Sequence, residues 1–255
     1  MTTETQGTEA QQQAMPLFYK KIERLSSNRH GTLGLKPAEG PFFAETTNSV
    51  PITVAEFAAC IPFYPIVFVG ADKLMPVAIL GLRNEQNLML EGGKWARGAY
   101  IPAYIRRYPF IFVKGAEDNQ LTLGVDMDSG LVAENTDAPL FDADGKQTEN
   151  VEKVLKFCGE YQKQIALTEA FSQELKDSGI LVEKTSTLTV GSGERLALGP
   201  YMIVDPEKFE ALPEEKVLDW RKRGLLPVVF WQMASQNAWN VLASRMPENE
   251  TAKAA

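Results

Sequence analysis

A chain of 255 residues, 44% of them hydrophobic, is long enough to bury a sizeable core in one large domain or two small ones. Its net charge of -7 argues against a nucleic-acid binder with a basic face and against electrostatic attachment to anionic lipid. With His30 as the single histidine, three-histidine and HExxH metal centres and the two-histidine facial triad cannot be built within one chain.

Residues 1–14, mostly Thr, Gln and Glu, have neither the basic start nor the apolar run of a signal peptide. They read as a disordered tail, and the lack of a signal peptide makes the cytoplasm the expected location. Residues 15–246 are expected to form a single domain, with 247–255 a second loose tail. His30, in Asn28-Arg29-His30-Gly31, reads as a surface or strand-end residue in a loop entering a strand. Residues 40–44 read as a short strand. Residues 52–59 read as a short helix, with Thr53 as N-cap and Glu56 three residues on, the spacing of a capping box. The β-branched run 66–70 reads as a buried strand, and 76–82 and 87–90 as two more. The apolar stretches 61–70 and 74–82 are too short to span a bilayer.

A near-repeat follows. Phe63-Tyr64-Pro65-Ile66-Val67-Phe68-Val69 recurs as Arg107-Tyr108-Pro109-Phe110-Ile111-Phe112-Val113, each copy behind an Ile-Pro pair. A proline fits the first residue of a strand, where no ladder donor is needed. The pattern predicts two similar strand pairs in one antiparallel sheet, the second completed by 121–127. Convergent strand starts are the other reading.

Val151, Val154, Leu155, Cys158, Tyr161, Ile165 and Leu175 mark an apolar stripe at helical spacing, with Phe171 beside it. It predicts a helix over 148–178 that packs on the sheet, with Thr148 as N-cap and Gly179 as the stop. Residues 187–190 and 196–198 flank a turn at 191–194. Its Gly-x-Gly lacks the third glycine and the following helix of a dinucleotide fingerprint, so no cofactor is expected. Asp205 then caps a short helix from Pro206. Pro213 opens another, with Glu214 and Glu215 in its first turn, Arg221, Lys222 and Arg223 in its last, and Gly224 after it. The basic triplet reads as a helix end rather than a phosphate site. Residues 225–231 should be buried, and 235–246 should close the domain as a helix.

Four groups of residues could carry chemistry. Cys60 and Cys158 read as two buried free thiols, with a disulfide as the alternative. Trp95, Arg97, Tyr100, Tyr104, Arg106, Arg107 and Tyr108 interleave aromatics with arginines, a composition suited to holding a carboxylate, a phosphate or a planar ring. The candidate ligand-binding residues are Trp95, Tyr100, Arg106, Arg107 and Tyr108; otherwise the arginines pair with nearby acids and the aromatics fill the core. Asp126 and Asp128 could share one face of a strand end and hold a cation or a proton, or be two turn residues. Asp142-Ala143-Asp144-Gly145 is not an EF-hand loop, because Leu140 and Val151 would fall at ligand positions.

Several phrases taken together resemble the bacterial SapC family. They include Asn48-Ser49-Val50-Pro51, Tyr64-Pro65-Ile66-Val67-Phe68, Leu80-Gly81-Leu82 and the run from Tyr100 to Phe110. Leu140-Phe141-Asp142-Ala143-Asp144-Gly145 and residues 205–235 fit as well. The resemblance spans about 15–246. The family is named for a paracrystalline surface layer, so the resemblance implies a non-enzymatic accessory or binding protein linked to the bacterial surface layer or envelope. It brings no catalytic residue, metal or cofactor with it. The alternatives are a cytosolic peptide- or anion-binding module, or an enzyme lacking a recognisable motif. The fold expected is α+β: a mainly antiparallel sheet, one long packed helix and short C-terminal helices. A protein or peptide partner or a homo-oligomer is compatible with this reading; nucleic acid and a transmembrane segment are not.

Overall fold

Both proline-led strands form antiparallel hairpins, but in different sheets. In the computed structural model, which describes residues 15–115, 120–189 and 193–247, Ile66–Val69 pairs with Met75–Ile79 and Phe110–Lys114 with Leu121–Asp126. The first pair lies inside a five-stranded sheet. Its order is Leu181–Thr189, Arg195–Val204, Ile66–Val69, Met75–Ile79 and Ser49–Pro51. The second pair joins Ile22–Arg24 in a three-stranded sheet. The shared local sequence therefore makes two similar hairpins, and distant strands decide which sheet each enters. A further small sheet sets Leu33–Leu35 between Val132–Glu134 and Ala138–Pro139. The expected tails, Pro247 aside, and residues 190–192 of the expected hairpin, the last strand residue and the first two of the turn, lie outside the described residues.

The long helix runs Glu149–Ser178 and unites the sheets. Val151 and Cys158 pack with Phe110, Leu123 and Val125 of the three-stranded sheet. Phe171 and Leu175 join the main core around the five-stranded sheet. Burying each of these larger apolar side chains contributes roughly 1.5–3 kcal/mol. Thr148 has the extended backbone of an N-cap, but its hydroxyl donates to the carbonyls of Pro139 (2.8 Å) and Leu140 (3.2 Å) instead of capping the helix. Gly179 ends the helix with φ 73°, the left-handed conformation glycine adopts without steric cost.

Four local expectations are corrected. Residues 40–44 form no strand: Phe42–Ala44 is a 3-10 turn, and its bonds from Ala44 N–H to Pro41 and from Glu45 N–H to Phe42 take up groups a ladder would use. Of 87–90, only Leu90 pairs, in the small hairpin with Lys94–Trp95; Asn87 instead ties Ala44 O and Met89 N–H into a turn. His30 is buried at the end of a one-turn helix, Ser27–His30, because its Nδ1 accepts the Ser26 N–H (3.2 Å) and folds the ring inward. Phe230 is 51% exposed, because Leu226–Ser235 is a helix that buries only one face of the apolar run.

The C-terminal helices follow the charge signals. Asp205 accepts the N–H groups of Glu207 and Lys208 to cap Pro206–Glu210. Arg223 ends Glu214–Arg223 and grips Glu174 of the long helix through both guanidinium nitrogens, at 2.8 and 2.5 Å. Lys216 and Trp220 Nε1 reach the same carboxylate at 3.0 and 2.6 Å. Arg223 within the basic triplet thus anchors a helix end. Arg223, against the cost of burial and with Lys216 and Trp220, holds the Glu174 carboxyl down at about 2.

Helix Leu226–Ser235 also shapes the five-stranded sheet. Arg195–Val204 meets Ile66–Val69 at one residue pair only, Met202 with Phe68. Beside that crossing the fully buried Gln232 takes the place of a ladder rung: it accepts the Val204 N–H (3.1 Å) and donates to Ile66 O (2.9 Å). Ser235 accepts the Ile66 N–H at 3.0 Å. The strands therefore splay instead of zipping together.

Candidate functional site

The Arg–aromatic segment begins in a turn that a buried carboxylate holds. Glu56 reaches back to the Thr53 N–H (2.8 Å) and also accepts its hydroxyl (2.9 Å), so the capping-box signal is realised. Its other oxygen accepts the Ala103 N–H (2.6 Å) and the Tyr100 hydroxyl (3.0 Å). This starts the one-turn helix Ala103–Arg106 and aims the next residue, Arg107, toward the long helix.

Arg107 lies among three tyrosines. Its guanidinium carbon is 4.2 Å from the ring centre of Tyr104, 4.8 Å from Tyr161 and 5.7 Å from Tyr19. Ring faces attract a guanidinium and keep its plane still. Its Nε and the Tyr161 hydroxyl are buried and have no hydrogen-bond partner among the described residues. No ion pair to a carboxylate is made by Arg106 or Arg107 within the described chain. The cores of proteins rarely leave such donors unused.

Beside Arg107 is a cavity of about 350 Å³ between the long helix and the start of strand Phe110–Lys114. Its charged lining is Arg106, Arg107 and Lys153, and among the described residues no carboxylate lines it. Lys153 is exposed and paired with Glu149 at 2.9 Å; Arg106 lies over the rings of Phe157 and Tyr100. Cys158 also lines the cavity, but burial, against the pull of Arg107, pushes its thiol up to about 11. At neutral pH it is therefore a thiol and a poor nucleophile. Burial likewise raises Tyr19, Tyr104 and Tyr161, which stay neutral beside the cation.

Of the five candidate residues, the structure brings Arg106, Arg107 and Tyr108 to this cavity. Trp95 and Tyr100 are not in its lining. Trp95 Nε1 donates to the Tyr64 hydroxyl (3.2 Å), which donates to Tyr100 O, while the Tyr100 hydroxyl bridges Glu56 and Arg106. They belong to the network that shapes the turn. Arg97 is exposed. Sequence reading missed Tyr19, Lys153 and the role of Tyr161. A hydroxyl-bearing residue within the apolar stripe was the available signal for Tyr161; nothing local marks Tyr19.

The acidic pair does not form. Asp126 is fully buried and accepts the N–H groups of Lys20, Lys21 and Asp128 and the Tyr108 hydroxyl, at 2.9–3.1 Å. Asp128 is exposed. Burial raises the Asp126 carboxyl, but the Lys21 and Lys20 N–H groups, with Tyr108 and Asp128, outweigh it and hold the group below the ordinary carboxylate range. Asp126 is a knot that ties the N-terminal segment to the sheet and orients Tyr108. Asp142 accepts the N–H groups of Asp144 and Lys146 in a local turn. Cys60 and Cys158 are buried free thiols.

The class of protein so defined is α+β, with antiparallel sheets bridged by one long helix and an arginine-lined cavity at their junction. The chain belongs to the SapC family, whose model matches residues 25–242. No curated protein and no solved structure matches it. Among the described residues, no helix is long and apolar enough to cross a membrane.

Proposed function

We propose that this SapC protein is a non-enzymatic binding protein that holds an anionic group, a carboxylate or a phosphate, against Arg107. The observation that carries the reading is the guanidinium itself: ringed by tyrosines, with an unpartnered buried Nε, beside a cavity whose charged lining is cationic. A fixed planar fork is suited to a two-oxygen acceptor. The protonated Cys158 thiol supports binding over nucleophilic chemistry. An acidic side chain or a chain terminus of a partner polypeptide supplies the same group. That fits an accessory role at the bacterial surface layer or envelope, a link that rests on family membership.

Calorimetric titration of the purified protein with inorganic phosphate and with acetate tests the site. Arg107→Ala is expected to weaken binding by at least about tenfold, and the exposed Lys153→Ala by about two- to fivefold. Circular dichroism of both variants should match the parent. Equal affinity of Arg107→Ala and the parent, or no binding by the parent at about 100 mM anion, overturns the proposal. The envelope link is tested by fractionating native cells: recovery from surface washes is expected, and recovery from the cytosol alone removes it.

A further inference from the structure

A second concave surface, sharing no lining residue with the Arg107 cavity, lies on the five-stranded sheet. It is a cleft of about 620 Å³, floored by Val67, Val69, Val77 and Ile79 and backed by Trp239. The four floor residues alternate along two neighbouring strands, so they share one face of the sheet. The other wall is the outer half of strand Arg195–Val204. There residues 196–200 line the cleft consecutively. Side chains alternate between faces, so five consecutive residues can line a cleft only if the strand presents its edge to it.

Among the described residues that edge is unpaired. Residues 195–198 are bonded to Leu181–Thr189 on one side; on the other, the strand's only described partner is Phe68, through Met202. At the inner end of this arm Gly199 has a φ of 115°, and its Cα packs against the Lys184 carbonyl so closely that a Cβ would come within 2.7 Å of it. The pairing register shifts opposite, between Lys184 and Ser186. Gln232 and Ser235 satisfy the backbone of Ile66 within the gap, so the sheet is not waiting to zip shut. Arg195, Ala197 and Gly199 remain exposed.

We infer that this cleft takes an extended peptide segment of a partner protein, added as a strand along residues 195–199, with alternate apolar side chains toward Val69 and Ile79, the floor residues left partly exposed. Strand addition supplies the donors and acceptors that a free edge lacks, spaced to match it. An acyl chain or an aromatic ring would cover the same backbone groups and leave them unpaired. Charge supports a neutral segment: among the described residues the charged ones lining the cleft, Arg83 and Glu194, are paired with each other. The site is distinct from the anion cavity in lining and in ligand.

The test is fluorescence anisotropy of the full chain with a labelled Thr-Val-Thr-Val-Thr-Val peptide and with its N-methylated counterpart, which keeps the side chains and loses the N–H donors. Saturable binding is expected, weakened at least about tenfold by N-methylation and by Val69→Lys, a change at a half-exposed floor position. Arg107→Ala should leave this binding unchanged. Equal binding of the two peptides overturns strand addition. So does the absence of binding up to about 1 mM. A concentration-dependent dimer that Val69→Lys dissociates, without peptide binding, replaces the peptide by a second copy of the chain and equally overturns the proposal.

Discussion

Asp126→Ala is expected to lower stability by about 3–5 kcal/mol, seen as a fall in melting temperature of roughly 6–20 °C. The carboxylate is fully buried and holds three backbone N–H groups and the Tyr108 hydroxyl. Alanine leaves these donors without an acceptor in a space too small for a full hydration shell. Asp126→Asn keeps one acceptor oxygen but turns an amide donor toward N–H groups, and should cost about half as much. The same carboxyl adds an acid limb. Its folded-state pKa lies below the ordinary range, so its contribution is present above that range and is lost as pH falls through the folded value. Glu174, held at about 2 against a usual 4.5, adds to the limb with the same sign. Thermal unfolding followed from pH 7 to pH 2 should show stability falling below about pH 4.5, less steeply in Asp126→Asn. A melting temperature within about 2 °C of the parent for Asp126→Ala would sink this account.

Glu56→Ala should be of similar severity, about 3–5 kcal/mol by urea denaturation. The carboxylate joins Thr53 to Ala103 and Tyr100, two turns more than forty residues apart in the chain. Glu56→Gln separates charge from shape. Both carboxylate oxygens accept a backbone N–H, from Thr53 and from Ala103, so either orientation of the amide sets an N–H₂ against a donor. A cost of about 1–3 kcal/mol is expected. Since Glu56 starts the turn that presents Arg106 and Arg107, the glutamine variant should also bind phosphate more weakly than the parent at a temperature where both are folded. Unchanged stability and unchanged phosphate affinity would show that the turn stands without it.

Much of the secondary structure is legible because its causes lie within a few residues of each other. The Thr53–Glu56 box, the apolar stripe with its Gly179 stop, the Asp205–Pro206 start and the acid-first, base-last order of Glu214–Arg223 each need only one turn of chain to act. The adjacency of Arg106, Arg107 and Tyr108 is legible for the same reason. Tertiary structure alone decided what surrounds them. Asp126 reads locally as a turn residue and becomes a buried knot because Lys20 and Lys21 arrive from more than a hundred positions away. Tyr19 reaches Arg107 by that same docking. Two hairpins of like sequence part into different sheets because one meets Ile22–Arg24 and the other Arg195–Val204. The splayed edge depends on Gln232 and Ser235, some 170 positions beyond the strand they serve. Helix periodicity and caps are short-range steric and hydrogen-bonding effects, whereas sheet membership and cavities depend on which distant backbone groups find each other once the core closes.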